Sequence, residues 1–362
     1  MSRLWVGVLF GGRSGEHAIS IRSSRYVVDS IDRSRFDMVL VGIDRAGGWH
    51  LCSETHYRTI EREVTGAGTI KVVAVPRAGR CGLLDPDNPG RSLPEIDVVF
   101  PILHGPYGED GTIQGLLDLL DVAYVGPGVL GAALCMDKDV CKRVLRDAGL
   151  PVVPFETVTD RRWSREPGAV RVAAARLGTP LFVKPANLGS SLGVARVTSA
   201  AELDRAVERA LSLDSKVLIE RAIDGREIEC AVLGNDEPQA SVPGEIVPGE
   251  AFYSFDDKYA DDSRARLLIP APLAENLREQ VRELAVRAFT ALQCAGMARV
   301  DFFLEKTTGQ LYINELNTIP GFTSISMYPK LWETSGVSAD VLVTRLIELA
   351  LERHAARRRN AT

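Results

Sequence analysis

The run LWVGVLF, residues 4–10, decides the reading of the fold. It is apolar throughout and stops at Gly11-Gly12. A strand with one wet face would alternate apolar and polar residues, so an unbroken run fits a strand buried on both faces, as in a parallel sheet. Outward from it, a helical period covers about 17–31, with Ile19, Val27, Val28 and Ile31 on one side. MVLVGI (38–43) and IDVVFPIL (96–103) read as the next strands, GTIQGLLDLLDV (111–122) as a helix and AYVG (123–126) as a short strand. This alternation predicts a doubly wound α/β domain over 1–125. Residues 46–94, rich in Gly, Pro and Arg, read as hairpins and variable loops.

A second region opens at Gly126-Pro127. VLGAALCMDKDVCKRVLRDAGL (129–150) reads as one amphipathic helix, closed by Gly149 and stopped by Pro151. Strands at 180–186 and 216–223, with a helix at 199–212 between them, predict an α+β lobe over 126–222. The remainder, 223–362, begins with the strand EIECAVLG (227–234) and contains a helix at 274–293. Two strands follow, MARVDFFLE (297–305) and LYINELN (311–317), and then a terminal helix over 339–356.

Composition removes several classes of function. With 43 Lys+Arg against 48 Asp+Glu the net charge is −5, which lacks the basic excess of a general nucleic-acid binder. No apolar run approaches the ~20 residues of a membrane span. MSRLWVGVLFGG reads as a first strand and not as a signal peptide, so the cytosol is the expected compartment. The six cysteines show no C-x-x-C spacing and read as reduced thiols.

Four segments carry chemistry. FGGRSGEH (10–17) sits at a strand-to-helix junction; it is either a tight turn or a place where Glu16 holds an ammonium group. Its glycine spacing does not fit a dinucleotide fingerprint. HGPYGEDGT (104–112) follows the third strand, where doubly wound sheets bind ligands, although a loop histidine there can be merely structural. FVKPANLGSSLGV (182–194) offers Lys184 and a Gly-Ser loop to phosphate oxygens, or is a flexible hairpin tip. ARVDFFLE (298–305) with INELNT (313–318) places Asp301, Glu315 and Asn317 where they can converge. Oxygen ligands of this kind select Mg²⁺ or Mn²⁺. Arg299 shares the face of Asp301 and is placed to neutralise a transferring phosphoryl group.

Taken together and in this order, FGGRSGEH, LHGPYGEDGT, MDK, VKPANLGSS, GREIECAVLG and NELNTIPGFTSIS resemble the D-alanine–D-alanine ligases, a family of ATP-grasp carboxylate–amine ligases. The resemblance runs over about 4–350 except 46–94 and 156–170. It implies a doubly wound N-terminal domain followed by a two-lobed ATP-grasp fold. It also implies an ATP-dependent joining of two D-alanines through a D-alanyl phosphate, for peptidoglycan precursors. Glu16 would bind the first ammonium group, with His104 lining that site. Lys138 and Lys184 would contact the ATP phosphates. Ser190 and Ser191 would lie in the loop closing over them, with Ser190 orienting Glu16. Glu220, Ala222 and Ile223 would read adenine, and Glu227 would bind the ribose. Asp301, Glu315 and Asn317 would hold two Mg²⁺ or Mn²⁺ ions. Arg299 and the N–H of Gly321 would stabilise the tetrahedral oxyanion. Ser326 and Met327 would receive the carboxylate of the second substrate. The segment 251–262 resembles the family's mobile loop, with Lys258-Tyr259 at its signature pair. That pair favours D-alanine over D-lactate as the second substrate, with D-lactate or D-serine ligation the alternative. The family also implies a homodimer.

Overall fold

The computed structural model describes residues 3–190, 192–248 and 266–360. Ser191, Lys258, Tyr259 and the whole loop 251–262 lie outside the described residues.

The first sheet contains β1 (Leu4–Gly11), β2 (Phe36–Ile43), β3 (Trp49–Cys52), β4 (Ile70–Arg77), β5 (Arg80–Leu84), β6 (Val98–Pro101) and β7 (Ala123–Tyr124). Its order is β5-β4-β3-β2-β1-β6-β7. β1 is central and parallel to both β2 and β6, which explains its unbroken apolar run. The insertion 46–94 resolves into β3, the short helix α2 (Glu54–Thr59) and the β4–β5 hairpin, which extend the sheet antiparallel. Helix α1 (His17–Ser30) lies on one face against Val6, Val8 and Phe10. Helix α3 (Thr112–Leu119) lies on the other with Leu9, Val41 and Val99. The chain leaves β1 toward β2 on one side and returns at β6 on the other, so β1 and β6 flank a switch point whose crevice receives the loops after both strands.

The predicted helix 129–150 is two helices, α4 (Val129–Met136) and α5 (Lys138–Asp147). Asp137 breaks it by adopting an extended ψ of 97° and accepting hydrogen bonds from the N–H groups of Asp139 and Val140. A residue that competes for the backbone in this way restarts the helix, and Lys138 thereby becomes its first residue.

The second sheet holds β8 (Phe155–Thr159), β9 (Leu181–Pro185), β10 (Ala195–Val197) and β11 (Lys216–Arg221) in the antiparallel order β10-β9-β11-β8. Helices α6 (Asp160–Arg165), α7 (Pro167–Arg176) and α8 (Ala200–Leu211) accompany it. Val170, Leu203 and Val207 cover Val158, Val183, Val217 and Ile219.

The third sheet comprises β12 (Gly225–Gly234), β13 (Gln239–Ala240), β14 (Gly244–Val247), β15 (Arg266–Leu268), β16 (Gly296–Glu305) and β17 (Leu311–Asn317). Helix α9 (Glu275–Ala291) covers one face through Ile228, Cys230 and Val232. Helices α10 (Met327–Thr334) and α11 (Ala339–Asn360) pack on the opposite side with Ala231 and Met297. α11 does more than close this lobe. Its Leu342, Val343, Leu346 and Ile347 share one core with Val6, Val8, Phe10 and Phe100 of the first sheet. Half-buried Arg353 donates to the carbonyls of Tyr124 and Gly126.

Candidate active site

Two connected cavities open where the three sheets meet. The first, about 500 Å³, is bounded by the loops after β1 and β6, by β16 and by the start of α10. The second, about 570 Å³, lies between the second and third sheets. Ser190, Glu227, Asn314 and Glu315 line both. A group held in one cavity can therefore meet a group held in the other.

The first cavity is organised around Glu16. Ser190, at a left-handed φ of 51°, donates its hydroxyl hydrogen to Glu16 Oε1. Gly105 has a φ of +71°, and a Cβ there would stand 2.5 Å from Glu16 Oε2. Only glycine leaves room for the carboxylate in this conformation. Ser20 draws the ends of β1 and β6 together, accepting from the N–H of Gly11 and donating to the carbonyl of Ile102.

His104 lines this cavity with both ring nitrogens committed. Nδ1 lies 2.9 Å from the carbonyl of Ile319, which can only accept, so Nδ1 carries the hydrogen. Nε2 then accepts from Ser23 Oγ at 2.9 Å, while Ser23 accepts from the N–H of Phe322. Burial holds the imidazole pKa below its ordinary value. His104 thus fixes the 319–322 loop that carries Gly321.

Glu109, which stands with His104 in HGPYGEDGT where a ligand is expected, fixes the same loop. Its carboxylate accepts from the N–H groups of Gly105 and Ile319, each at 2.8 Å. Burial, with the Glu16 carboxylate beside it, pushes Glu109 up to about 7 from the ordinary 4.5. The folded protein therefore keeps a proton that the unfolded chain has released. This contribution to stability is complete below about pH 4.5 and is lost as the pH rises through about 7. Glu109→Gln cannot ionise. Between about pH 5 and about pH 8 its unfolding free energy should fall by ~2–3 kcal/mol less than that of the parent. Urea unfolding at the two pH values checks this, and equal falls would show that Glu109 does not titrate there.

In the wall of the first cavity, Arg299 on β16 forms a fork with Asp301, both contacts at 2.7 Å, and reaches Glu229 Oε2 at 2.9 Å. Burial opposes the guanidinium charge, but Asp301 and Glu229 outweigh it and hold its pKa well above the ordinary value. Asn317 Nδ2 donates to Asp301 at 2.9 Å. Asp301 stands directly opposite Glu315, and the register then slips, so that Phe302 faces Ile313. The slip is a β-bulge that inserts Asn314, and Asn314 and Glu315 both line the two cavities. A strict two-residue alternation from the sequence places Asn314 on the wrong face and so misses it. Lys138 reaches Glu315 Oε2 at 3.4 Å and donates to the carbonyl of Leu188 at 2.8 Å.

Among the described residues no three His, Cys, Asp or Glu side chains are grouped to hold a metal ion. The candidate donor set is two carboxylates and an amide. With the Asn317 N–H₂ turned to Asp301, its carbonyl oxygen is left for a cation. All three ligands are hard oxygens, which suits Mg²⁺ when phosphates complete its shell.

In the second cavity Lys184 reaches Glu220 Oε2 at 2.8 Å and donates to Asn314 Oδ1 at 3.2 Å. Lys142, fully buried on α5, reaches the other Glu220 oxygen at 3.1 Å. Burial raises the Glu220 pKa, but the two lysines outweigh it and keep the carboxyl below its ordinary range. Lys142 has the i, i+4 spacing from Lys138 that would place both on one helix face, a signal present in the sequence. Glu227 and Ile223 line the cavity. Ala222 gives its N–H to the carbonyl of Pro180. At the far end of the first cavity, Ser326 is the N-cap residue of α10 and accepts from the N–H of Thr323. Gly321 lies against it, and Met327 is the helix's first residue.

Residues 5–127 match the family model described as D-ala D-ala ligase N-terminus, and 144–348 match D-ala D-ala ligase C-terminus. D-alanine–D-alanine ligase A of Escherichia coli strain K12 is 50% identical over 360 residues, 98% of each chain. The D-alanine–D-alanine ligase of Shouchella clausii is 48% identical over 98% of this chain and 96% of its own. Among solved structures, the D-alanine–D-alanine ligase of Coxiella burnetii superposes with a TM-score of 0.85 at 36% identity, covering 100% of this chain and 97% of that one. The VanG D-Ala:D-Ser ligase of Enterococcus faecalis gives 0.84 at 33% identity, covering 96% and 100%.

Proposed function

The chain belongs to the D-alanine–D-alanine ligase family of ATP-grasp enzymes, and from that premise we infer that its paired cavities join two D-alanines into D-alanyl-D-alanine with ATP. The observation that carries this reading is the meeting of the two cavities at Ser190, Asn314 and Glu315. A carboxylate is a poor electrophile, and phosphorylation turns one of its oxygens into a leaving group. The first D-alanine carboxylate attacks the γ-phosphorus and ADP departs. The amine of the second D-alanine then attacks the acyl carbon and phosphate departs. The protein's part is positioning and charge neutralisation.

In this reading Glu16, oriented by Ser190, holds the ammonium group of the first D-alanine. Lys138 and Lys184 take phosphate oxygens, Glu220 with the Ala222–Ile223 backbone reads the base, and Glu227 takes the ribose hydroxyls. Ser326 and the N–H of Met327 receive the second carboxylate at the start of α10, where unpaired backbone N–H groups favour an anion. Arg299 and the N–H of Gly321 face the developing oxyanion. Asp301, Glu315 and Asn317 are the residues that would hold two Mg²⁺ or Mn²⁺ ions, whose chemistry is to neutralise phosphate charge.

D-Alanine is the favoured second substrate on the strength of Lys258-Tyr259, and D-serine or D-lactate is the alternative. No described helix is long and apolar enough to cross a membrane. Leu116 and Leu119 on α3, with Val129 and Leu130 on α4, are exposed and support a homodimer formed through this part of the chain. Phosphate release measured with ATP, Mg²⁺ and a mixture of D-alanine, D-serine and D-lactate, with products separated, tests the function. Phosphate release should depend on D-alanine and yield chiefly D-alanyl-D-alanine. Release indifferent to D-alanine would exclude this reading.

A further inference from the structure

Lys142 is a buried cation for which the reaction as described has no use. Its side chain is 0% exposed, and its ammonium group meets Glu220 Oε1 at 3.1 Å. The other Glu220 oxygen is held by Lys184 at 2.8 Å, and the Glu220 side chain is itself only 5% exposed. Two cations thus share one carboxylate in an enclosed place. For stability alone, a methionine at 142 would fill similar space without desolvating a charge.

The arrangement acquires a purpose once Lys184 has to move. Lys184 is bonded to Glu220 and Asn314 in this structure. To reach a phosphate oxygen it must weaken its hold on Glu220. With Lys184 as its only partner, Glu220 would then be left as a buried carboxylate without a counterion, a heavily penalised state. Lys142 stays on the far oxygen and keeps Glu220 compensated whichever way Lys184 turns.

We propose that Lys142 is a positioning residue that sets the affinity for ATP by sharing Glu220, so that Lys184 is released to the nucleotide's phosphates. The proposal rests on the reading of the second cavity as the nucleotide site. It separates Lys142 from a merely structural lysine, because Lys142 acts on phosphate binding only through the charge of Glu220.

The test is steady-state kinetics on the full chain. Lys142→Met leaves one cation on one carboxylate and should raise KM for ATP about tenfold or more, with kcat and KM for D-alanine each within about threefold of the parent. Adenosine, which carries the base and ribose but no phosphates, should inhibit K142M with a constant within about threefold of the parent, because only the phosphate contacts depend on Lys184. A merely structural lysine would loosen the whole cavity and raise both constants together. An unchanged KM for ATP in K142M, or an adenosine constant raised as much as KM for ATP, overturns the proposal. If K142M does not fold, Lys142→Gln carries the same expectation. Lys184→Met separates the two levels. If it leaves KM for ATP unchanged, the nucleotide reading of the cavity fails. If it raises KM while K142M does not, only the role of Lys142 fails.

Discussion

Glu315→Gln should lower kcat by about 10³-fold or more and leave the folded protein within about 1 kcal/mol of its parent stability. The substitution preserves shape and removes one charge. Its structural effect is small because Lys138 meets this carboxylate at a loose 3.4 Å and Glu315 keeps partial access to solvent. Its chemical effect is large because Glu315 lies across from Asp301 where the two cavities join. Removing a carboxylate there halves the negative charge available to a divalent cation and leaves Lys138 without its neighbour. Phosphate release at rising Mg²⁺ is the measurement. The variant should remain far below the parent at any Mg²⁺ concentration, with an unchanged urea midpoint. Full turnover in the variant would show that the cation is held elsewhere.

Arg299→Met should be damaging in both respects. Arg299 binds both Asp301 and Glu229, and its loss takes a counterion from two mostly buried carboxylates. Breaking a buried pair by removing one partner costs ~3–5 kcal/mol. Loss of an oxyanion-facing cation lowers kcat by about 10²–10³-fold. The stability deficit should shrink toward acid pH, where a carboxylate that has lost its counterion can protonate. Arg299→Lys separates the two effects. It keeps a charge near Glu229 and regains part of the stability, but an ammonium group cannot fork onto Asp301 at 2.7 Å twice over, so kcat should stay low. Urea unfolding and single-turnover rates on both variants decide the matter. A stable, active Arg299→Met would remove Arg299 from the site.

The sequence was most legible where chemistry and periodicity coincide. LWVGVLF showed a buried parallel strand because burial on both faces leaves no alternation, and it is the central strand of the first sheet. The loops after β1 and β6, carrying Glu16 and His104, fell where a switch point requires them. Legibility failed where one residue redirects the backbone. Asp137 divides a continuous amphipathic pattern because a capping side chain competes with the helix it precedes. The bulge that adds Asn314 breaks the two-residue rule on which the face of β17 was read. Helix α7 is rich in alanine and starts at Pro167, so it carries no apolar stripe to detect. α10 has Pro329 in its first turn, where the missing N–H is harmless but the sequence looks like a break. Glu109 stood in a segment marked for ligand binding and Lys142 four residues from Lys138, but what each does was hidden for another reason. Their roles depend on what surrounds them in three dimensions, the N–H groups of Gly105 and Ile319 for one and Glu220 for the other.

The packing of α11 on the first sheet bears on how the protein is made. Val6, Val8, Phe10 and Phe100 share one core with Leu342, Val343, Leu346 and Ile347, and Arg353 binds the carbonyl of Tyr124 across 229 positions of sequence. A ribosome delivers the strands long before it delivers the helix that covers them. At ~5–20 residues per second, part of the first sheet's apolar face waits on the order of 10 s or more for that cover. The nascent chain is therefore most exposed to aggregation in its earliest-made domain, and binding by a chaperone would matter most before residue 350 has left the exit tunnel.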